Sequence, residues 1–119
     1  MITSYAIESG KLVARDARSN TVWVKEFDGC PVLKLLPLIG EKDCLVVLDP
    51  AASKQPTFEN LLRVGSDGSI VWRASLPRSH DAYVNVVSTH AAIEAITWRG
   101  VRVLVDPANG AVREIGLSK

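Results

Sequence analysis

Groups that usually carry chemistry are scarce in this chain: its 119 residues hold two cysteines, two histidines and one methionine. Cys30 and Cys44 lack the C-x-x-C spacing of zinc and thioredoxin-like sites, so they read as reduced thiols acting as small core residues. "MITSYAIESG" has no basic segment followed by an apolar one, which argues against a secretory signal. No apolar run approaches the ~20 residues of a membrane span. The longest candidate, "CPVLKLLPLIG", is interrupted by Pro31, Lys34 and Pro37. A cytoplasmic protein with no membrane partner is expected. Charge of one sign is also missing. The balance is 14 basic to 13 acidic residues, net +1, with no Lys/Arg block, so no nucleic-acid partner is expected.

Aromatics make up only 6% of the chain, yet 47% of it is hydrophobic, which excludes disorder. The length suits a single domain, residues 1–119, with a modest core. Fifteen valines against one Met and two Phe favour strands. Short β-forming runs alternate with turn residues throughout, as in "KLVARD", "TVWVKEF", "CLVVLD", "SIVWRASL" and "VRVLVD". The pattern predicts an all-β protein of about 10–11 short antiparallel strands. Two segments have helical alternatives: Ser88–Ile96, with a Ser/Thr cap and alanines, and Thr57–Val64, stopped by Gly65.

The turns recur. "LVARDARSNTV" (Leu12–Val22) aligns without a gap to "RVLVDPANGAV" (Arg102–Val112), and "GSDGSIVWRASL" aligns on Asp67-Gly68 against Asn109-Gly110. Each unit reads strand, polar turn closing on Gly or Asn, strand, because a tight turn needs a positive φ. This phase gives a partial unit over 2–27 and further units over 32–76 and 82–117.

"DGSIVWRASL" and "GVRVLVDPANGAVREI" resemble blades of β-propellers of the pyrroloquinoline-quinone-repeat, or WD40-like, type. Trp23 and Trp72 stand near the aromatic position of such a blade, where the last unit has Arg113 or Glu114. The segment "NLLRVGSDGSIVWRASLPRSHDAYVNVV" also resembles short bacterial proteins of unassigned function. The resemblance implies blade-like four-stranded antiparallel sheets. It implies no quinone cofactor, since no residues equivalent to that site occur here. Propellers close with about four to eight blades. Fewer than three are visible, so the sheets are expected either to form a compact barrel or sandwich or to make a partial propeller completed by dimerisation.

Candidate sites are few. Ser79, His80 and Asp81 are consecutive, whereas catalytic triads converge in space, so they read as a polar connection. His80 and His90 have no third ligand spaced for a metal. Asp16, Asp49 and Asp106 end strands, where carboxylates accept hydrogen bonds from turn amides. No catalytic, cofactor-binding or metal residues are assigned, and no cofactor is expected. Tyr83, Trp98, Arg99 and Arg102 form the candidate interaction surface, because Trp, Tyr and Arg dominate binding hot spots. The function expected is a non-enzymatic module that binds a protein partner or a second copy of itself. The alternative is a small-ligand-binding protein or hydrolase with a pocket near His80, Asp81, Tyr83 and Trp98.

Overall fold

Eleven strands of four to seven residues make up the regular structure in the computed structural model, which describes residues 2–38, 42–89 and 92–117. The first sheet comprises β1 (Ile2–Glu8), β2 (Lys11–Asp16) and β3 (Thr21–Lys25). The second comprises β4 (Val32–Pro37), β5 (Cys44–Leu48), β6 (Leu61–Val64) and β7 (Ile70–Arg73). The third comprises β8 (Tyr83–Thr89), β9 (Ala92–Thr97), β10 (Val101–Val105) and β11 (Val112–Leu117). Within each sheet the strands lie side by side in chain order, and every pairing is antiparallel. No helix occurs among the described residues, so none is long and apolar enough to cross a membrane.

The all-β class, the short antiparallel strands and the four-stranded sheets agree with the sequence reading. The barrel alternative does not hold, because the strands form three separate open sheets. Both segments with helical alternatives are extended where described: Ser88–Thr89 ends β8, Ala92–Ile96 lies in β9, and Leu61–Val64 is β6. The reason is visible on β9. Ile93, Ala95 and Thr97 are buried in strict alternation, and period two buries one face only in an extended chain. His90 lies outside the described residues.

The sheets stack with the second in the middle. Its strand β5 is buried at every position. Cys44, Val46 and Leu48 join a cluster with Leu12 and Phe27 on the first-sheet side. Leu45 and Val47 join the other cluster, with Val86, Ile93, Val101 and Val103 of the third sheet. Each fully buried Leu or Val contributes about 1.5–3 kcal/mol of transfer free energy, so the central strand holds both seams together. Beyond hydrogen bonding within sheets, β1 touches β4 and β4 touches β8, so the opening strands of the three sheets are neighbours.

Two tryptophans tie each sheet to a turn of the next. Trp23 on β3 lies against Gly68 and donates its indole N–H to Ser66 O at 2.8 Å. Trp72 on β7 lies against Gly110 and donates to Pro107 O, also at 2.8 Å. Gly68 and Gly110 both have positive φ, 85° and 77°. The approach at Gly110 is so close that a Cβ there would lie 2.6 Å from the Trp72 ring. The turns are closed by carboxylates. Asp16 accepts from the Arg18 and Asn20 amides, Asp49 from Ala51, Asp67 from Ser69 and Asp106 from Ala108, all at 2.9–3.0 Å. The Asn20 amide chiefly holds the Asp16 carboxyl below its ordinary range, and the Ser69 hydroxyl, donating at 2.6 Å, does so for Asp67 ahead of the Ser69 amide.

Candidate functional site

The residues singled out from the sequence separate into three environments. Tyr83 is wholly buried and belongs to the core, so its side chain is absent from any exposed face. Its hydroxyl donates to Ser75 O at 2.6 Å, and burial, reinforced by the nearby Asp81 charge, raises its pKa well above that of an ordinary phenol. Its backbone is held by Asn60, which sequence reading did not flag. Asn60 is completely buried and donates to Leu48 O and Tyr83 O, while its Oδ1 accepts from Tyr83 N, all at 2.7 Å. One amide side chain thereby joins the end of β5 to the start of β8. A buried Asn just before a strand gives no local signal, since its partners lie on other elements.

Arg102 stands on the outer face of the third sheet, where its guanidinium binds Glu94 at 2.7 Å. Glu94 also accepts from Thr89 Oγ1, and its carboxyl is held below the ordinary range, chiefly by the Arg102 hydrogen bond. Together with Asn85, Val87 and Ile96 this pair lines a shallow hollow of about 340 Å3. The outer face of the first sheet is built similarly. By alternation from the buried Leu12 and the half-buried Trp23, it carries the exposed Val22 and Val24 around Val13, which is itself buried. There an ion pair joins Arg15 and Glu8.

Trp98 and Arg99 occupy the β9–β10 turn. Trp98 is 70% exposed, the most exposed large hydrophobic residue described. It lines a cleft of about 270 Å3 with Pro50, Pro56, Phe58, His80 and Asp81. So three of the four residues of the pocket alternative share one concavity, and Tyr83 does not line it. The backbone of both walls is fixed to the same two residues. Phe58 N donates to Asp81 O at 3.0 Å and Trp98 N to Ala82 O at 2.8 Å. Asp81 is 4% exposed; its Oδ1 accepts from the Ala82 and Arg99 amides, and its buried Oδ2 has no hydrogen-bond partner among the described residues. His80 has a positive φ of 56°, stabilised by its own N–H donating to Thr57 Oγ1 at 2.9 Å.

Ser79, His80 and Asp81 do not form a proton relay. Ser79 Oγ lies 3.3 Å from His80 Nδ1, but Asp81 is engaged by backbone amides. Among the described residues no three His, Cys, Asp or Glu side chains are grouped to hold a metal ion. A larger hollow of about 640 Å3 lies along the same connecting segment, lined by Phe27, Asp28, Cys30, Lys54, Phe58 and Arg73 among others. Cys30 is half-buried there, while Cys44 is buried and its thiol is pushed up to about 12 by desolvation, with a smaller contribution from Asp43. The β5–β6 connection, read from sequence as a mere link, thus contributes to both concavities.

Residues 37–117 match a protein family described as "Domain of unknown function (DUF7957)", a span that takes in β5 to β11 and leaves the first sheet outside. No curated protein matches the chain.

Proposed function

The chain belongs to that family, and from this premise we propose that it is a propeller-like binding scaffold, completed by a second copy of itself. The observation that carries the reading is the state of the two outer faces. A stack of three sheets leaves one face of the first and one face of the third with no sheet packed on it. Val22 and Val24 on the first are 48% and 53% exposed, and Val87 on the third is 41% exposed. Each face also presents one Arg–Glu pair, Arg15–Glu8 and Arg102–Glu94, so the two match in charge as well as in apolar character.

The number of sheets supports closure by two copies. Twice three is six, inside the range of about four to eight blades at which propellers close. The third sheet of each copy meets the first sheet of the other around a two-fold axis, which closes the ring and leaves no open end. The neighbouring opening strands and the repeated tryptophan-on-turn contacts suit blades radiating from a common axis. In this reading residues 1–119 act as one unit and catalyse no reaction.

Sedimentation equilibrium over a wide concentration range tests the proposal. A species of twice the 12.9 kDa chain mass is expected, and Val24→Glu should shift it to the monomer. A chain that stays monomeric at every concentration refutes the reading.

A further inference from the structure

We infer that the cleft beside Trp98 binds a small organic cation, an alkylammonium group, with the indole as its face and Asp81 as its counter-charge. Shape comes first. Pro50, Pro56 and Phe58 form apolar walls opposite an indole that is 70% exposed, in a cleft of about 270 Å3. That volume suits a ligand of a few heavy atoms or the end of one side chain. The cleft is also held in place before anything enters. Phe58 N, Ala82 N, Trp98 N and Arg99 N all bond to Asp81 or Ala82, so both walls are anchored to one dipeptide. A preorganised site loses little freedom on binding.

Charge then selects the ligand. Asp81 lines this cleft and is 4% exposed, and among the described residues its Oδ2 has no hydrogen-bond partner. That oxygen is closed to solvent, so it acts on the cleft as a charge behind its wall rather than as a hydrogen-bond acceptor, and a negative charge in a weakly screened setting favours a cationic ligand over a neutral one. The same carboxylate disfavours anions. Among the described residues a metal ion lacks the three grouped side chains that would hold it. Cations stack on the face of Trp more strongly than on any other side chain. A buried carboxylate and an exposed indole on one apolar cleft therefore converge on an alkylammonium group. It comes either from a free alkylammonium compound or from a lysine side chain of another protein. The inference does not depend on the two-copy ring, since Trp98 and Asp81 lie on the β9–β10 turn and before β8, away from the outer faces.

The indole N–H signals in a nitrogen–proton correlation spectrum of the intact protein provide the test. Trp23 and Trp72 are hydrogen-bonded within the fold, and Trp98→Ala identifies the third signal by its loss. Titration with choline and with N-acetyl-lysine methylamide should move the Trp98 signal saturably and leave the other two in place. Whichever probe binds more tightly identifies the source of the ammonium. The neutral isostere 3,3-dimethylbutan-1-ol should bind at least about tenfold more weakly, about 1.4 kcal/mol. Asp81→Asn should abolish that preference. If it fails to fold, the comparison between cation and isostere on the unmodified protein still decides. A Trp98 signal unmoved by both cations, or moved equally by the isostere, overturns the inference.

Discussion

Gly110→Ala should destabilise the fold far more than the same change at Gly68, although both glycines close equivalent turns. Both have positive φ, so each substitution costs about 1–2 kcal/mol for placing an L side chain in the left-handed region. At Gly68 that is the whole penalty, because the new Cβ would meet Trp23 at an ordinary 3.7 Å. At Gly110 the Cβ would lie 2.6 and 2.7 Å from two ring atoms of Trp72, so the indole must move. Displacing it overpacks the seam, at about 1–3 kcal/mol. It also breaks the bond to Pro107 O, worth about 1 kcal/mol. The expected losses are about 1–2 kcal/mol for Gly68→Ala and about 3–6 kcal/mol for Gly110→Ala. Urea unfolding followed by far-UV circular dichroism measures both. Repeating Gly110→Ala in a Trp72→Leu background should reduce its cost to the conformational part alone, a coupling of about 2–4 kcal/mol. Equal losses at the two glycines, or no coupling to Trp72, would refute the claim that Gly110 is required by the indole.

Asn60→Ala should cost about 3–5 kcal/mol in the same assay, because it leaves backbone groups of Leu48 and Tyr83 buried without partners; a loss under about 1 kcal/mol would contradict the role given to this amide. Tyr83→Phe keeps the ring in the core and removes only the bond to Ser75 O, so a loss of about 1 kcal/mol is expected from the same measurement. Thiol labelling at pH 8 should modify Cys30 in the folded protein and spare Cys44 until denaturant is added, which mass spectrometry of the labelled peptides reads directly. Stability should fall with rising pH in the alkaline range. The Cys44 thiol rises from 9.0 to about 12 and the Tyr5 hydroxyl from 10.0 to about 12, both mainly through burial. Above pH ~9 the unfolded chain therefore releases protons that the folded chain retains, and the unfolding free energy declines toward pH ~12. Cys44→Ala should flatten the first part of that decline in urea melts taken at successive pH values.

Local rules made much of the fold legible. Alternation marks β9, and the aspartates at strand ends mark turns that are closed by their carboxylates. Helical alternatives arise where alanines or a cap compete with period two, and tertiary burial decides for strands. What local pattern could not reveal was contact between sheets. Gly110 reads as a turn glycine, but its tighter constraint is an indole from another sheet. Tyr83 reads as part of an interaction surface because Tyr is a hot-spot residue, yet its ring is buried in the core and Asn60 holds its backbone there. Trp98 was legible as an exposed aromatic. So were His80 and Asp81 as its neighbours in a pocket, but the opposite wall was not, because it comes from a loop some forty residues earlier whose prolines and serine suggest a linker.

The tryptophan-on-turn contact bears on how firmly the two outer faces could join. A seam of the kind found within the chain would need an indole on β11 and a glycine in the β2–β3 turn. Neither is present: β11 carries Arg113 and Glu114, with Glu114 bound to Arg78, and the Asp16–Asn20 turn has Ser19 and Asn20 in place of a glycine. In the proposed ring the seams between copies therefore lack the indole clasp of the seams within a copy, and dilution should open them first.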